Sequence, residues 1–100
     1  DIILTDRMLK YVGPWRIDNY IKEIRRIARE YIVLCEFHCE SLYDIIKLKA
    51  NSGYNAYNYK KLLEKHGFYD VILHRLPEEA WPGDTYPSYI IVAKVPKRKL

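Results

Sequence analysis

The segment CEFHCES, residues 35–41, gathers Cys35, Glu36, His38, Cys39, Glu40 and Ser41 around a single phenylalanine. These side chains bind metals, act as nucleophiles or move protons. Zinc needs about four convergent ligands, commonly a cysteine pair matched by a second pair. No second pair exists, and the other histidines, His66 and His74, stand isolated in the sequence. A cysteine nucleophile with His38 as its base lacks a third residue to orient the base. The preferred reading is plainer: Cys35 and Cys39 pack as small hydrophobes, with no metal site. His38 and Glu40 remain candidates for lining a binding pocket.

Strand periodicity sharpens this. If the segment stays extended, Cys35, Phe37 and Cys39 face one way and Glu36, His38 and Glu40 the other. The preceding residues, YIVLCEF, are apolar, rich in β-branched and aromatic types, and of central-strand length. Upstream, Ile2, Ile3 and Leu4 form a short apolar run suited to a buried parallel strand. A loop, TDRMLKYVGP, leads into a helix with proline near its first turn. Ile17, Tyr20, Ile21, Ile24, Ile27, Ala28 and Tyr31 then recur at helical spacing, while Lys22, Glu23, Arg25, Arg26 and Arg29 take the other face.

After the YIVLCEF strand, Ser41 to Asp44 matches a capping box before Leu42, Ile45 and Ile46, with the helix ending before Asn51-Ser52-Gly53. NYKKLLEKHG reads as a second short helix, capped by Asn55 or Asn58 and stopped by Gly67. FYDVILHRL (68–76) and SYIIVAKV (88–95) read as strands, and PEEAWPGDTYP between them is too long for a tight turn. The basic tail KRKL is expected to fray. Alternation of strand and helix implies right-handed parallel crossovers, and the last two strands, lacking a helix between them, must be antiparallel. The expected class is α/β: two parallel strands with crossover helices, closed by an antiparallel C-terminal hairpin.

One hundred residues, 49% hydrophobic and 30% charged, suit a single globular domain over 1–100 and exclude a disordered chain. No apolar run approaches the roughly 20 residues that cross a bilayer, and no signal peptide is visible. Two cysteines four apart on one strand do not form a disulfide, so a reducing, cytoplasmic setting is expected. Glutamine is absent and Ile, Lys, Arg and Glu abound, a composition leaning toward a thermophile. The chain opens on DIILT, directly in a strand, from which the expectation is that residues precede Asp1.

The order and spacing of these words resemble the C-terminal half of a class I, Rossmann-like S-adenosylmethionine-dependent methyltransferase. DIILTDRMLKYV looks like that family's fourth strand and following loop, and YIVLCEF resembles its fifth strand. YKKLLEKHGF is similar to its late Leu-Leu-x-x-x-Gly-Phe helix and turn. The closing strands, with YIIVAKV ending on lysine, look like the reversed hairpin that separates this fold from dinucleotide-binding relatives. Each motif alone is weak; the series spans nearly the whole chain.

The resemblance implies methyl transfer, with S-adenosylmethionine as cofactor and the acceptor held by this half. The family's Gly-rich turn after the first strand, and the acid ending its second, have no counterpart here, because Gly13, Gly53, Gly67 and Gly83 are scattered. The isolated 100 residues are therefore expected not to bind the cofactor, and a missing N-terminal half or a partner chain is expected to complete the sheet. The family's position after its fourth strand maps onto Thr5, Asp6 and Arg7. Asp6 can accept a proton or orient an acceptor, and Arg7 can hold a carboxylate or phosphate; otherwise they are a turn residue and a solvated charge. Thr5 falls nearest the cofactor, with His38 and Glu40 on the acceptor side. Trp81 and Tyr86 either wall the acceptor as a lid or pack on the sheet edge.

The acceptor is unidentified. A net charge of +4, the Lys22/Arg25/Arg26/Arg29 face and Tyr54, Tyr57 and Tyr59 admit a nucleic acid, although Asp18, Glu23 and Glu30 dilute that face. A non-enzymatic basic α/β module binding nucleic acid or a protein is the alternative, and a homo-oligomer is compatible with either.

Overall fold

The computed structural model of the chain describes residues 2–6, 8–76 and 88–96. Strand β1 (Ile2–Asp6) is followed by a single 3-10 turn (Leu9–Tyr11) and helix α1 (Pro14–Ile27). Strand β2 (Tyr31–Phe37), helices α2 (Leu42–Ser52) and α3 (Tyr59–Lys65), and strands β3 (Tyr69–Arg75) and β4 (Ser88–Lys94) complete it. The four strands form one sheet in the order β1-β2-β4-β3. β1 runs parallel to β2, whereas β4 is antiparallel to both β2 and β3. The final strand thus inserts, reversed, between the two that precede it. The expected α/β class with an antiparallel terminal hairpin is what the chain forms.

Two boundaries differ from the sequence reading. β1 extends beyond Leu4 to Asp6, because its register with β2 continues through Thr5↔Leu34 and Asp6↔Cys35. The helical stripe ends sooner than its spacing suggests. Ala28 is already the extended C-cap of α1, and Tyr31 is the first residue of β2. Ile27, within the stripe, is 56% exposed, whereas Ile17, Ile21 and Ile24 carry the burial.

The caps follow sequence chemistry. Gly13 and Pro14 open α1. The Ser41 hydroxyl accepts from Asp44 N–H (3.1 Å) and donates to the Asp44 carboxylate (2.9 Å) at the start of α2. α2 runs through Ser52, past the expected stop. There the Ser52 hydroxyl donates to Leu48 C=O, and Gly53 closes the helix at φ 78°, a conformation glycine adopts without penalty. Asn58, rather than Asn55, caps α3 by accepting from Lys61 N–H.

The main core joins Ile17, Ile21 and Ile24 of α1 and Tyr59 and Leu63 of α3 to Ile32 and Leu34 of β2 and Ile91 and Ala93 of β4. The other sides of β2 and β4 are only partly covered. Register aligns Leu4, Val33, Val92 and Ile72 as an apolar row across all four strands. Its ends are open to solvent, Leu4 at 69% and Ile72 at 62% exposure. Among the described residues, no helix is long and apolar enough to cross a membrane.

Candidate functional site

In an open α/β sheet, ligands gather outside the carboxyl ends of the parallel strands. Here those ends are Asp6 of β1 and Phe37 of β2, adjacent through the parallel pairing. The most consequential side chain at this edge is Glu36, which sequence reasoning passed over. It is fully buried, and its carboxylate accepts from Thr5 Oγ1 (2.7 Å), Met8 N–H (3.2 Å) and Leu9 N–H (3.1 Å). One carboxylate therefore ties the end of β1 and the turn after it to β2. Burial pushes its pKa up, with Asp6 adding to the rise, against the pull of the three donors. A charged residue inside an otherwise apolar strand was the available signal.

Thr5 accordingly turns inward, its hydroxyl committed to Glu36. Asp6, the next residue, is exposed at the strand end. The backbone beyond is anchored a second time. Lys10 C=O accepts both Asn55 N–H and the Asn55 side-chain amide, each at 2.9 Å, and the Tyr57 hydroxyl donates to Val12 C=O. The Lys10 ammonium lies 4.3 Å from the ring centre of Tyr54, 5.1 Å from Tyr11 and 5.6 Å from Phe37, within cation–π range of all three.

His38 follows β2 and is nearly fully buried. Its Nδ1 accepts Tyr59 N–H (3.1 Å), the first free backbone donor of α3. A strand-end histidine and Asn58 together cap that helix. Because Nδ1 accepts, the neutral ring carries its proton on Nε2, which lies 3.8 Å from Glu40 Oε1. His38 in this state presents a donor, not a base. The ring also meets Tyr89 edge-on, with centroids 4.9 Å apart.

Burial drives the His38 pKa below its ordinary 6.5, although Glu40 opposes the shift. A base depressed in the fold stabilises it fully above the unfolded pKa and loses that contribution as pH falls. Stability of the wild type is thus expected to decline as pH drops below 6.5 more steeply than that of His38→Gln, whose side-chain oxygen can still accept from Tyr59 N–H. Urea midpoints between pH 7 and 5 read this out; parallel profiles would show that His38 does not bear the burial cost.

Cys39 behaves as a hydrophobe. It packs with Phe37, Leu48 and Ala56, and burial raises its thiol pKa, which keeps it protonated and weakly nucleophilic. Cys35 is half-buried on the facing side from Glu36. Among the described residues, no group of three or more His, Cys, Asp or Glu is placed to hold a metal.

The fold brings Thr5, Asp6, Glu36, His38 and the exposed Glu40 to one edge. Arg7, Trp81 and Tyr86 lie outside the described residues. Of the tyrosines considered for base stacking, Tyr59 is fully buried, and Tyr54 and Tyr57 are partly buried against neighbouring rings. A cofactor cradle is not among the features of this edge. Gly13, in the β1–α1 connection, opens α1, Gly53 ends α2 and Gly67 follows α3, so the described glycines do not cluster in one turn after a strand. The described residues do not by themselves fit S-adenosylmethionine.

No protein-family profile matches the chain, and no curated protein matches it. Among solved structures, the chain is similar to a SAM-dependent methyltransferase from Archaeoglobus fulgidus, with a TM-score of 0.62 and 18% sequence identity. The likeness covers 94% of this chain and 58% of that one, so this chain spans little more than half of its neighbour's length. At that identity the two share a fold: this is a methyltransferase-type α/β arrangement.

Proposed function

We propose that the chain is the C-terminal, acceptor-side portion of an enzyme that transfers a methyl group from S-adenosylmethionine. The observation carrying this reading is the reversed β4 inserted between β2 and β3, in a fold shared with a SAM-dependent methyltransferase over 94% of this chain. The apolar row from Leu4 to Ile72 and the outer edge of β1, unpaired among the described residues, supply the reason to call it a portion. A sheet face of that width needs a covering layer, and an unpaired strand edge invites a further strand. A preceding segment or a partner chain would supply both, together with the glycine-rich cradle that the edge lacks.

Within this reading the chain's own contribution is placement. Glu36 holds the turn after β1, Asp6 at the strand end orients or deprotonates the acceptor, and His38 offers Nε2–H toward Glu40. Methyl transfer is chiefly a matter of proximity and orientation, which suits an edge fixed by buried hydrogen bonds.

Calorimetry tests the proposal. S-adenosylmethionine titrated into the 100 residues is expected to give no saturable heat. The chain joined to an N-terminal methyltransferase portion, in cis or as a partner chain, is expected to bind at micromolar concentration. Tight binding by the 100 residues alone would remove the need for a second portion, and no binding by the joined portions would remove the methyltransferase reading.

A further inference from the structure

The end of the sheet opposite the candidate site carries a different chemistry. β4 ends at Lys94 opposite Tyr31, the first residue of β2, so Pro96 lies at the amino ends of the parallel strands. Beside it is an open groove of about 520 Å³ lined by Lys22, Arg25, Arg26, His66 and Pro96. Nearly every lining residue is cationic or can become so.

The local carboxylates account for only part of that charge. Glu23 pairs with Arg26 at 2.6 Å, and Asp18 pairs with His66 at 2.7 Å and with Lys65 at 3.2 Å. Among the described residues, no carboxylate pairs with Lys22 or Arg25, both exposed on α1. The Arg25 guanidinium lies close to Gly67, where a Cβ would come within 3.8 Å of it. Among the described residues, the groove thus has two cations without a carboxylate partner on one helix face, with Arg26 beside them.

We propose that this groove binds the phosphodiester backbone of a nucleic acid. Lys22 and Arg25 stand about 4.5 Å apart along the helix axis, comparable to the ~3.4 Å axial spacing of two successive phosphates on one strand. A lone phosphate would use only part of that pair. The buried state of Tyr59 removes it as a stacking platform, so the contact is to backbone and carries no base preference. The groove is independent of the cleft at the other end of the sheet, and the two assignments stand or fall separately.

The test is fluorescence anisotropy of the whole chain with a labelled mixed-sequence DNA duplex of about 20 base pairs, over a salt series. The double variant Lys22→Gln/Arg25→Gln is expected to bind at least about tenfold more weakly, with a log–log salt slope shallower by about two contacts. Lys47→Gln/Lys60→Gln, an equal charge change on the exposed faces of α2 and α3, is expected to bind nearly as the wild type does. Circular dichroism melts confirm that each variant is folded. Equal weakening by both doubles would reduce the effect to net charge and overturn the assignment. So would saturable binding of a poly-glutamate peptide at equal affinity, or the absence of duplex binding at low salt.

Discussion

Glu36→Ala is expected to destabilise the fold by about 3–5 kcal/mol, the largest loss of any single polar substitution in the described residues. Each buried donor left unsatisfied costs roughly 1–3 kcal/mol, and this change strands three: the Thr5 hydroxyl and the Met8 and Leu9 amides. Glu36→Gln is the finer probe. Thr5 can reverse its hydroxyl to accept from the new amide, but one backbone N–H then loses its acceptor, at about 1–3 kcal/mol. Urea unfolding of the three proteins measures both differences.

The gap between wild type and Glu36→Gln should also depend on pH, with a definite sign. Burial lifts the folded-state pKa of Glu36 above its ordinary 4.5. The native protein therefore keeps its proton to higher pH than the unfolded chain does. Such a group contributes its full stability below the unfolded pKa and loses it as pH rises through the folded one. The wild-type advantage is expected to shrink between pH 4.5 and neutrality, the reverse of the His38 trend over an overlapping window. A gap that widened with pH would mean that the three donors outweigh burial and hold the carboxylate ionised.

The second large effect is in α1. Ile21→Ala is expected to cost about 2–5 kcal/mol, the range for removing a fully buried aliphatic side chain whose surroundings cannot collapse. Ile27→Ala, in the same helix and the same apolar stripe, should change stability by no more than about 0.5 kcal/mol, because Ile27 is largely exposed at the helix end. Chemical denaturation of the two variants decides the matter. Equal losses would place Ile27 under a covering layer, which is itself informative about what sits on this fold.

That contrast shows where the sequence was sufficient. YIVLCEF reads as a strand because its residue types and length leave no other periodicity, and β2 begins and ends on those residues. Ser41 marks the start of α2 because capping acts over three or four residues, whereas the helix runs through Ser52 rather than stopping before Asn51. The end of α1 was not legible in the same way. Ile27, Ala28 and Tyr31 continue a helical spacing by composition, yet the chain turns at Ala28 so that Tyr31 can enter the sheet opposite Lys94.

Local patterning by itself determined the class of this protein: its strands and helices, and the antiparallel direction of the last pair. Those properties depend on neighbours within a few residues, which the sequence displays directly. The tertiary structure alone decided which polar groups matter. Glu36 is defined by donors 27 to 31 residues away, His38 by a helix start 21 residues on, and the basic groove by α1, His66 and Pro96 meeting at one end of the sheet. Hydrogen-bond satisfaction and charge are properties of what surrounds an atom in space, and a linear pattern does not record that.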